Sequence, residues 1–237
     1  MHCPVAWIVV LAGLVLSGLV GGCAARVKVP LLPPFPPSAA PSVLWAEPFD
    51  ELHPERWREV EVRGRTSYEA ITLEGRSCLK AHSRNTASIL LHALRFDPQT
   101  FQRLSWSWRV ERPVTGEALE RKEGSDASAR VYVYFETKGL PWQKRSIDYV
   151  WSTTLPAGTI TESAFSSMSK ILVVESGTAS LGQWRMAERN LEEDYARCFG
   201  GDPPDVIAIG VMTDTDNTAG EAVAYYDDLQ VSKTRKE

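Results

Sequence analysis

The chain has 237 residues, of which 26 are basic and 30 are acidic, giving a formal net charge of −4. The two signs are mixed along the sequence, so the chain lacks the clustered positive charge that phosphate binding needs, and we exclude nucleic acid as a partner. Apolar residues make up 43% of the chain, which is enough to build the core of a globular domain.

The N-terminus has the pattern of an export signal. Residues 5–20 are almost entirely apolar, a length that suits a signal peptide better than a membrane span. Two glycines and Cys23 follow, and this arrangement resembles a bacterial lipobox, in which the cysteine becomes the lipidated first residue. We therefore predict a signal peptide over 1–22 and lipidation at Cys23. An ordinary secretory signal cut near Ala24 or Ala25 and an uncleaved anchor are the alternatives.

A lipid anchor would tether the protein to a membrane in the cell envelope. Ala24, which follows the lipidation site, is not acidic, and in similar Gram-negative lipoproteins this implies the outer membrane, facing the periplasm. Residues 30–41 contain six prolines, which favour an extended, semi-rigid spacer. We predict that 23–42 link the anchor to a domain over 43–233, and that a charged tail occupies 234–237.

Alternating apolar and polar residues dominate the sequence after the linker. In 104–110, 131–136 and 223–229, branched and aromatic residues recur at every second position, which is the period of half-buried strands. Further segments with strand composition lie at 43–48, 68–73, 77–82, 88–93, 146–152, 171–175, 184–188 and 206–213. This many strands in one domain predict an all-β fold, a two-sheet antiparallel β-sandwich of jelly-roll type.

One segment, near 190–199, has helical spacing instead. Apolar residues recur at intervals of four from Leu191 onward, Asn190 can cap the first turn, and Gly200 can end the helix. The sequence therefore predicts a single short helix in an otherwise β-sheet domain.

Two cysteines, Cys78 and Cys198, lie within the predicted domain. An exported protein could join them in a disulfide. We expect two separate buried thiols instead, because Cys78 lies in a predicted strand, Cys198 lies in the predicted helix, and nothing in the sequence brings them together.

Several motifs in the second half of the chain resemble a known family. The run TDTDNT at 213–218 is followed by AYYDDL at 224–229, and DASARVYVYF and ERNLEEDYARCFG occupy 126–135 and 188–200. These stretches resemble the bacterial family of domain of unknown function 3047. The resemblance extends over about 43–231, and it implies an exported β-sandwich protein without an assigned activity.

Two details qualify what the resemblance implies. The closing strand, YYDDLQV, is also similar to the last strand of galactose-binding-like jelly rolls and of several carbohydrate-binding modules, which is an analogy of fold alone. The family usually has two adjacent acids before the RVYV strand, whereas this chain has Ser125 and Asp126. Any joint role of two acids there would be lost in this chain.

Aromatic side chains give the best indication of a ligand site. Tyr132 and Tyr134 share one face of a predicted strand whose other face belongs to the core, so they are available to a sugar ring. Trp142 lies in a predicted loop, where it either contacts a ligand or folds back onto the sandwich. Trp106 and Trp108 share a face with aliphatic residues, and we expect them in the core.

Charged residues near these aromatics complete the predicted ligand site. Asp126 and Asp148 are candidate carboxylates, either for sugar binding or for a glycosidase mechanism, which needs two carboxyl groups. One of the two adjacent acids at 227–228 should face inward or towards a sheet edge, and an inward carboxylate requires a partner. We expect Arg130 or Arg109 to be that partner, in a polar clasp or in a pair at the ligand site.

The turn that follows the strand at 206–213 gathers oxygen ligands. Asp214, Asp216 and Asn217 offer carboxylate and amide oxygens, which calcium prefers. Calcium is therefore the cofactor that this pattern predicts. The alternative is that these side chains only hold the turn through hydrogen bonds to nearby backbone N–H groups.

Recognised catalytic motifs are absent from the sequence, including a nucleophile elbow, a phosphate-binding glycine loop and zinc-type spacing. We therefore predict an envelope-anchored lipoprotein whose β-sandwich is non-catalytic and binds a glycan or another envelope component. One alternative is a carbohydrate-active enzyme, a hydrolase or lyase using carboxylates or Tyr and His. Another is a structural subunit of an envelope complex, with an envelope protein as its partner.

Overall fold

The computed structural model describes residues 42–137 and 144–234. The predicted signal peptide, Cys23, nearly all of the predicted linker, Trp142 and 235–237 lie outside these ranges. Within the described ranges, no helix combines the length and the apolar character that a membrane span requires.

The described chain forms thirteen strands and one helix. In chain order the strands are β1 (Val43–Glu47), β2 (Trp57–Arg63), β3 (Ser67–Leu73), β4 (Arg76–Arg84), β5 (Ala87–Phe96), β6 (Arg103–Arg112), β7 (Ala129–Phe135), β8 (Arg145–Ser152), β9 (Ile160–Ser163), β10 (Ser166–Ser176), β11 (Arg185–Asn190), β12 (Val206–Met212) and β13 (Glu221–Ser232). The helix, α1 (Leu191–Phe199), lies between β11 and β12. The sequence patterns predicted all of these elements except β2 and β9.

The strands form two sheets that pack as a β-sandwich, as predicted. In the part of the chain that the structure describes, a six-stranded sheet has the order β11-β6-β13-β4-β3, with β1 paired to β13. A seven-stranded sheet has the order β2-β5-β12-β7-β8-β10-β9. The strand pairs are antiparallel, as predicted, with one exception in the described chain: β10 lies parallel to β8. The chain runs past this position to form β9 and then returns as β10 between β8 and β9.

The hydrophobic core lies between the two sheets. Trp106 and Trp108 of β6 are fully buried there, as predicted, and their rings meet edge to face with centroids 5.3 Å apart. Tyr149 and Trp151 of β8 reach them from the opposite sheet, at centroid distances of 5.4 and 6.0 Å. These large rings bury much apolar area and stabilise the packing of one sheet on the other.

The helix begins and ends where the sequence predicted. The side chain of Asn190 accepts hydrogen bonds from the backbone N–H groups of Glu192 and Glu193, at 3.0 and 3.3 Å. Gly200 ends the helix with a φ of 76°, a conformation that favours glycine. The cap therefore satisfies donors that the first turn of a helix leaves unpaired.

The two cysteines are free, as expected. Cys78 is buried in β4 and Cys198 is half-buried in α1, so the two thiols belong to separate elements. The expectation that Arg130 or Arg109 pairs with one of the acids at 227–228 is wrong, because Arg76 is the partner of both. Asp227 lies on the opposite face of β13 from the core, where Arg76 of the neighbouring β4 donates to it. Arg76 also donates to Asp228, whose positive φ of 52° marks an irregularity in the strand.

The outer face of the seven-stranded sheet has a covered part and an open part. The segment 113–128, between β6 and β7, covers one end of this face, where its Leu119 and Ala127 form a cluster with Val150 and Ile171. The rest of the outer face, centred on β7, forms the groove described below.

Candidate functional site

The centre of the groove is formed by two tyrosines of β7. Alternation along the strand directs Val131 and Val133 into the core and Tyr132 and Tyr134 to the outer face. The two tyrosine rings are nearly parallel, with an angle of 10° between their planes and centroids 5.6 Å apart. Tyr134 is half-buried, whereas Tyr132 is 9% exposed, so Tyr134 is the ring more open to a ligand.

The sheet register places different chemistry on the two sides of these tyrosines. Towards β2, the groove has an apolar wall made of aliphatic side chains and a methionine, namely Val60, Val62, Ala87, Ile89 and Met212. Towards β9, it has a polar wall that includes Ser146, Asp148, Ser163, Ser166 and Ser169. The pairing of β7 with β12 on one side and β8 on the other produces this division. Of the polar wall, only Asp148 was predicted from the sequence. The apolar wall was not predicted, although the alternation of valine with charged residues in β2 was a visible signal.

Asp148 occupies the middle of the polar wall, beside Tyr132 on the adjacent strand. It accepts hydrogen bonds from the hydroxyl groups of Ser146, at 2.8 Å, and of Ser169, at 2.9 and 3.0 Å. Burial raises the pKa of Asp148 to about 6, and the nearby charge of Arg130 opposes this rise. The carboxyl group therefore changes its charge close to neutral pH, inside the groove.

Arg130 pairs with Asp214, a partner that the sequence analysis did not predict. Both side chains are buried, and Arg130 Nε and Nη2 lie 3.1 and 3.3 Å from the two oxygens of Asp214. Asp214 also accepts from the backbone N–H of Ala127 at 3.0 Å, and Arg130 donates to the backbone oxygen of Ser125. Burial raises the pKa of Asp214 to about 7 despite the opposing charge of Arg130. This network fixes the guanidinium group at one end of the groove.

Three acids gather near this pair. Carboxylate oxygens of Asp126, Asp214 and Asp216 lie within 4.8 Å of one another. Asp126 is buried beneath the turn and accepts from the backbone N–H groups of Asn217 and Thr218, at 3.1 and 2.6 Å, and from the Thr218 hydroxyl at 2.7 Å. It therefore holds the turn, and it is not among the residues that line the groove.

The predicted calcium site is only partly assembled. Asp214 and Asp216 are close together, but the third carboxylate is Asp126, and Asn217 interacts with Asp126 through its backbone N–H. The oxygens of Asp126 and Asp214 already accept hydrogen bonds, and Arg130 supplies a cation beside Asp214. The turn is therefore held by Asp126, from another segment, and not by the side chains that the alternative named. Calcium binding stays a prediction. Equal melting temperatures with excess calcium and with a chelator would count against it.

Of the remaining predicted residues, Tyr132, Tyr134, Arg130 and Asp148 line one groove. Trp142 and Cys23 lie outside the described residues. The predicted metal ligands Asp214, Asp216 and Asn217 also line this groove. The polar half of the groove is therefore rich in carboxylates and hydroxyl groups.

The solved structures to which this chain is similar include carbohydrate-binding modules and an enzyme domain. The xylan-binding domain CBM22-1 of Xyn10C from Paenibacillus barcinonensis has 11% identity and a TM-score of 0.37, covering 82% of this chain and 96% of that chain. The non-crystalline cellulose specific module CBM28 has 8% identity and a TM-score of 0.42, covering 78% and 92%. The xyloglucanase domain of NopAA from Sinorhizobium fredii has 10% identity and a TM-score of 0.38, covering 81% and 100%. Similarity at this level does not transfer a ligand or an activity.

The fold and the groove define the class of this protein: a two-sheet β-sandwich with an aromatic-centred groove on the outer face of one sheet. A search of the curated proteins gave no match. The chain belongs to the family described as "Protein of unknown function (DUF3047)", whose model matches residues 55–230. The family resemblance drawn from the sequence motifs is therefore confirmed.

Proposed function

We propose that the groove binds a glycan and that the domain acts as a non-catalytic binding module. The observation that carries this proposal is the position of the Tyr132–Tyr134 pair beside the hydroxyl and carboxyl groups of Ser146, Asp148 and Ser169. A pyranose ring has an apolar C–H face, which suits an aromatic ring, and a polar edge of hydroxyl groups. Those hydroxyl groups need partners once they are removed from water.

The polar wall can both donate and accept hydrogen bonds, as sugar recognition requires. Each serine hydroxyl carries one donor and two acceptor positions, and it can rotate towards a ligand. Asp148 accepts when ionised, and Ser146 and Ser169 hold it in place through bonds of 2.8 to 3.0 Å. The groove therefore offers preformed partners to hydroxyl groups on one edge of a sugar ring.

We further propose that lipid on Cys23 anchors the protein to the outer membrane, on the periplasmic side. The apolar segment 5–20 and the position of the cysteine support this proposal. The proline-rich linker leads directly into β1, which begins at Val43. Labelling with a clickable fatty acid tests the anchor: the wild type should be labelled and Cys23→Ser should not. Absence of label on the wild type would refute it.

Glycan binding is tested by thermal shift on the full-length protein in detergent, against neutral polysaccharides and peptidoglycan fragments. A ligand that binds only the folded state raises the melting temperature according to its concentration over its Kd. We expect Tyr134→Ala to abolish the shift. Tyr225→Ala is the matched control, since Tyr225 lies in the other sheet and contacts Trp184. Equal losses in both variants, or no shift with any glycan, would contradict the proposal.

A second candidate function, a carbohydrate-active enzyme, is favoured by one observation. Asp148 and Asp214 line the same groove, and burial raises the pKa of both, to about 6 and about 7. A carboxyl group that keeps its proton near neutral pH can act as a general acid. Asp214 already accepts hydrogen bonds from Arg130 and from the backbone N–H of Ala127, which favours a structural role for Asp214. Release of shorter products from a bound glycan, lost in Asp148→Asn, would support the enzyme.

A further inference from the structure

We propose that the saccharide bound by this groove carries acyl groups, such as acetyl groups, on the ring edge that faces the apolar wall. This inference rests on the proposed glycan binding and adds the class of ligand. The inference follows from the apolar wall of the groove, which cannot form hydrogen bonds with a sugar. This wall consists of Val60, Val62, Ala87, Ile89 and Met212.

The apolar wall is a separate hydrophobic cluster and not an extension of the core. Ala87, Ile89, Leu91 and Met212 are buried together with Tyr132, while Val60, Val62 and Tyr134 pack against them half-buried. The cluster lies on the outer face, because the neighbouring residues of β5, such as Leu90, face the core. Val60 and Val62, on the edge strand β2, leave apolar surface open at the rim of the wall.

The register places the wall in the row of Arg130, next to the row of Tyr132, whose hydroxyl group lies 3.5 Å from the sulfur of Met212. Val60 pairs with Ile89, Ile89 with Met212, and Met212 with Arg130 of the tyrosine strand. In the next row, Gly210 lies between Leu91 and Tyr132.

Gly210 is the reason that this wall reaches the aromatic pair. A Cβ at this position would lie 2.6 Å from Leu91 Cδ2 and 3.1 Å from Ile89 Cγ2. The two side chains therefore lean over the glycine and fill the space that a side chain of β12 would otherwise occupy. A ring resting on the tyrosines would thus have aliphatic carbon along one edge and hydroxyl or carboxyl groups along the other.

An unsubstituted sugar fits only one of these edges. Its hydroxyl groups would find partners on Ser146, Asp148 and Ser169. Those on the opposite edge would lose water against Ile89 and Met212, and the next sugar unit or its substituents would meet Val60 and Val62 further along the wall. Burial of a polar group without a hydrogen bond is unfavourable. An acyl substituent instead places a methyl group against this wall, and its burial is favourable.

Two neutral β-1,4-linked hexamers test the inference by calorimetry on the full-length protein. N-acetylchitohexaose and cellohexaose differ only in the acetamido group that replaces one hydroxyl of each ring. Acetylated xylan and its alkali-deacetylated form provide a second pair. We expect the acylated member of at least one pair to bind tenfold or more tighter than its unsubstituted partner.

The matched variants are the double substitution Val60→Thr with Val62→Thr, and Ile71→Thr as the control. Ile71 is also half-buried in an edge strand, but it belongs to the other sheet. The double variant should lose most of the preference for the acylated ligand while keeping the affinity for the unsubstituted one. The control should change neither affinity.

The outcomes separate the two proposals. Equal binding of acylated and unsubstituted ligands, with loss of both in Tyr134→Ala, would overturn the acyl preference and leave glycan binding intact. A preference that persists in the valine double variant would also overturn the role of the wall. Binding of none of the four saccharides would count against both proposals.

Discussion

Replacement of Asp148 by asparagine should change how the stability of the protein depends on pH. The carboxyl group of Asp148 is 3% exposed, and burial raises its pKa from 3.8 to about 6. The folded state therefore holds a proton on Asp148, over roughly pH 4 to 6, that the unfolded state has released. The contribution of this group to stability is fully present below about pH 4 and is lost as the pH rises through about 6.

The size of the effect follows from the shift in pKa. A displacement of roughly two pKa units corresponds to about 3 kcal/mol between the two protonation states. At pH 7.5 the wild type bears this cost, because a charged carboxylate is buried there. Asparagine has almost the same shape and stays neutral, and the hydroxyl groups of Ser146 and Ser169 can rotate to suit it. We therefore expect Asp148→Asn to be more stable than the wild type at pH 7.5 by up to about 3 kcal/mol.

The assay is urea unfolding followed by tryptophan fluorescence at several pH values between 4 and 8. The difference between variant and wild type should be small near pH 4 and should grow as the pH rises. Asp214, whose raised pKa acts with the same sign, is present in both proteins and cancels in the comparison. Asp202→Asn, at an exposed position, is the control and should track the wild type. Parallel stability curves for Asp148→Asn and the wild type would refute the reasoning.

Substitutions at three further positions test the fold and the site by urea unfolding. Gly210→Ala should lower the free energy of unfolding by about 1–3 kcal/mol, because the alanine Cβ would lie 2.6 Å from Leu91 Cδ2. An unchanged free energy of unfolding would mean that Leu91 moves aside at no cost. Asn190→Ala should cost about 1 kcal/mol through the lost helix cap, and Asn190→Asp should restore it. Asp126→Ala should cost about 2–4 kcal/mol, because it leaves two backbone N–H groups of the turn without their acceptor. A near-neutral Asp126→Ala would show that the turn does not depend on this contact.

The arrangement of strands was largely predictable because alternation reports directly on burial. Tyr132 and Tyr134 could be assigned to an outer face, since the intervening valines had to face the core. The two missed strands differ in this respect. In β2, Val60 and Val62 alternate with Glu59 and Glu61, so this strand could have been predicted, whereas β9 is only four residues long. In so short a segment, pairing to a neighbour decides the conformation, and the local sequence does not report it.

The partners within the site were less predictable, because they depend on long-range register. Asp148 meets Ser169 through the parallel pairing of β8 with β10, which no local pattern indicates. Arg130 meets Asp214 because β7 and β12 are neighbours, although the two residues are far apart in the sequence. Asp227 of β13 pairs with Arg76 and not with Arg130 or Arg109, because β4, which carries Arg76, is the neighbour of β13.

The position of the last strand has a consequence for the order of folding. β13 lies in the middle of the six-stranded sheet, between β6 and β4, and it also pairs with β1, the first strand. This sheet therefore cannot close while the final dozen residues of the domain are still being synthesised. Its interactions join distant parts of the chain, which makes folding slow. Under the export proposed above, a chain whose sheet stays open until this strand is made would still be in the unfolded form that a translocation channel accepts.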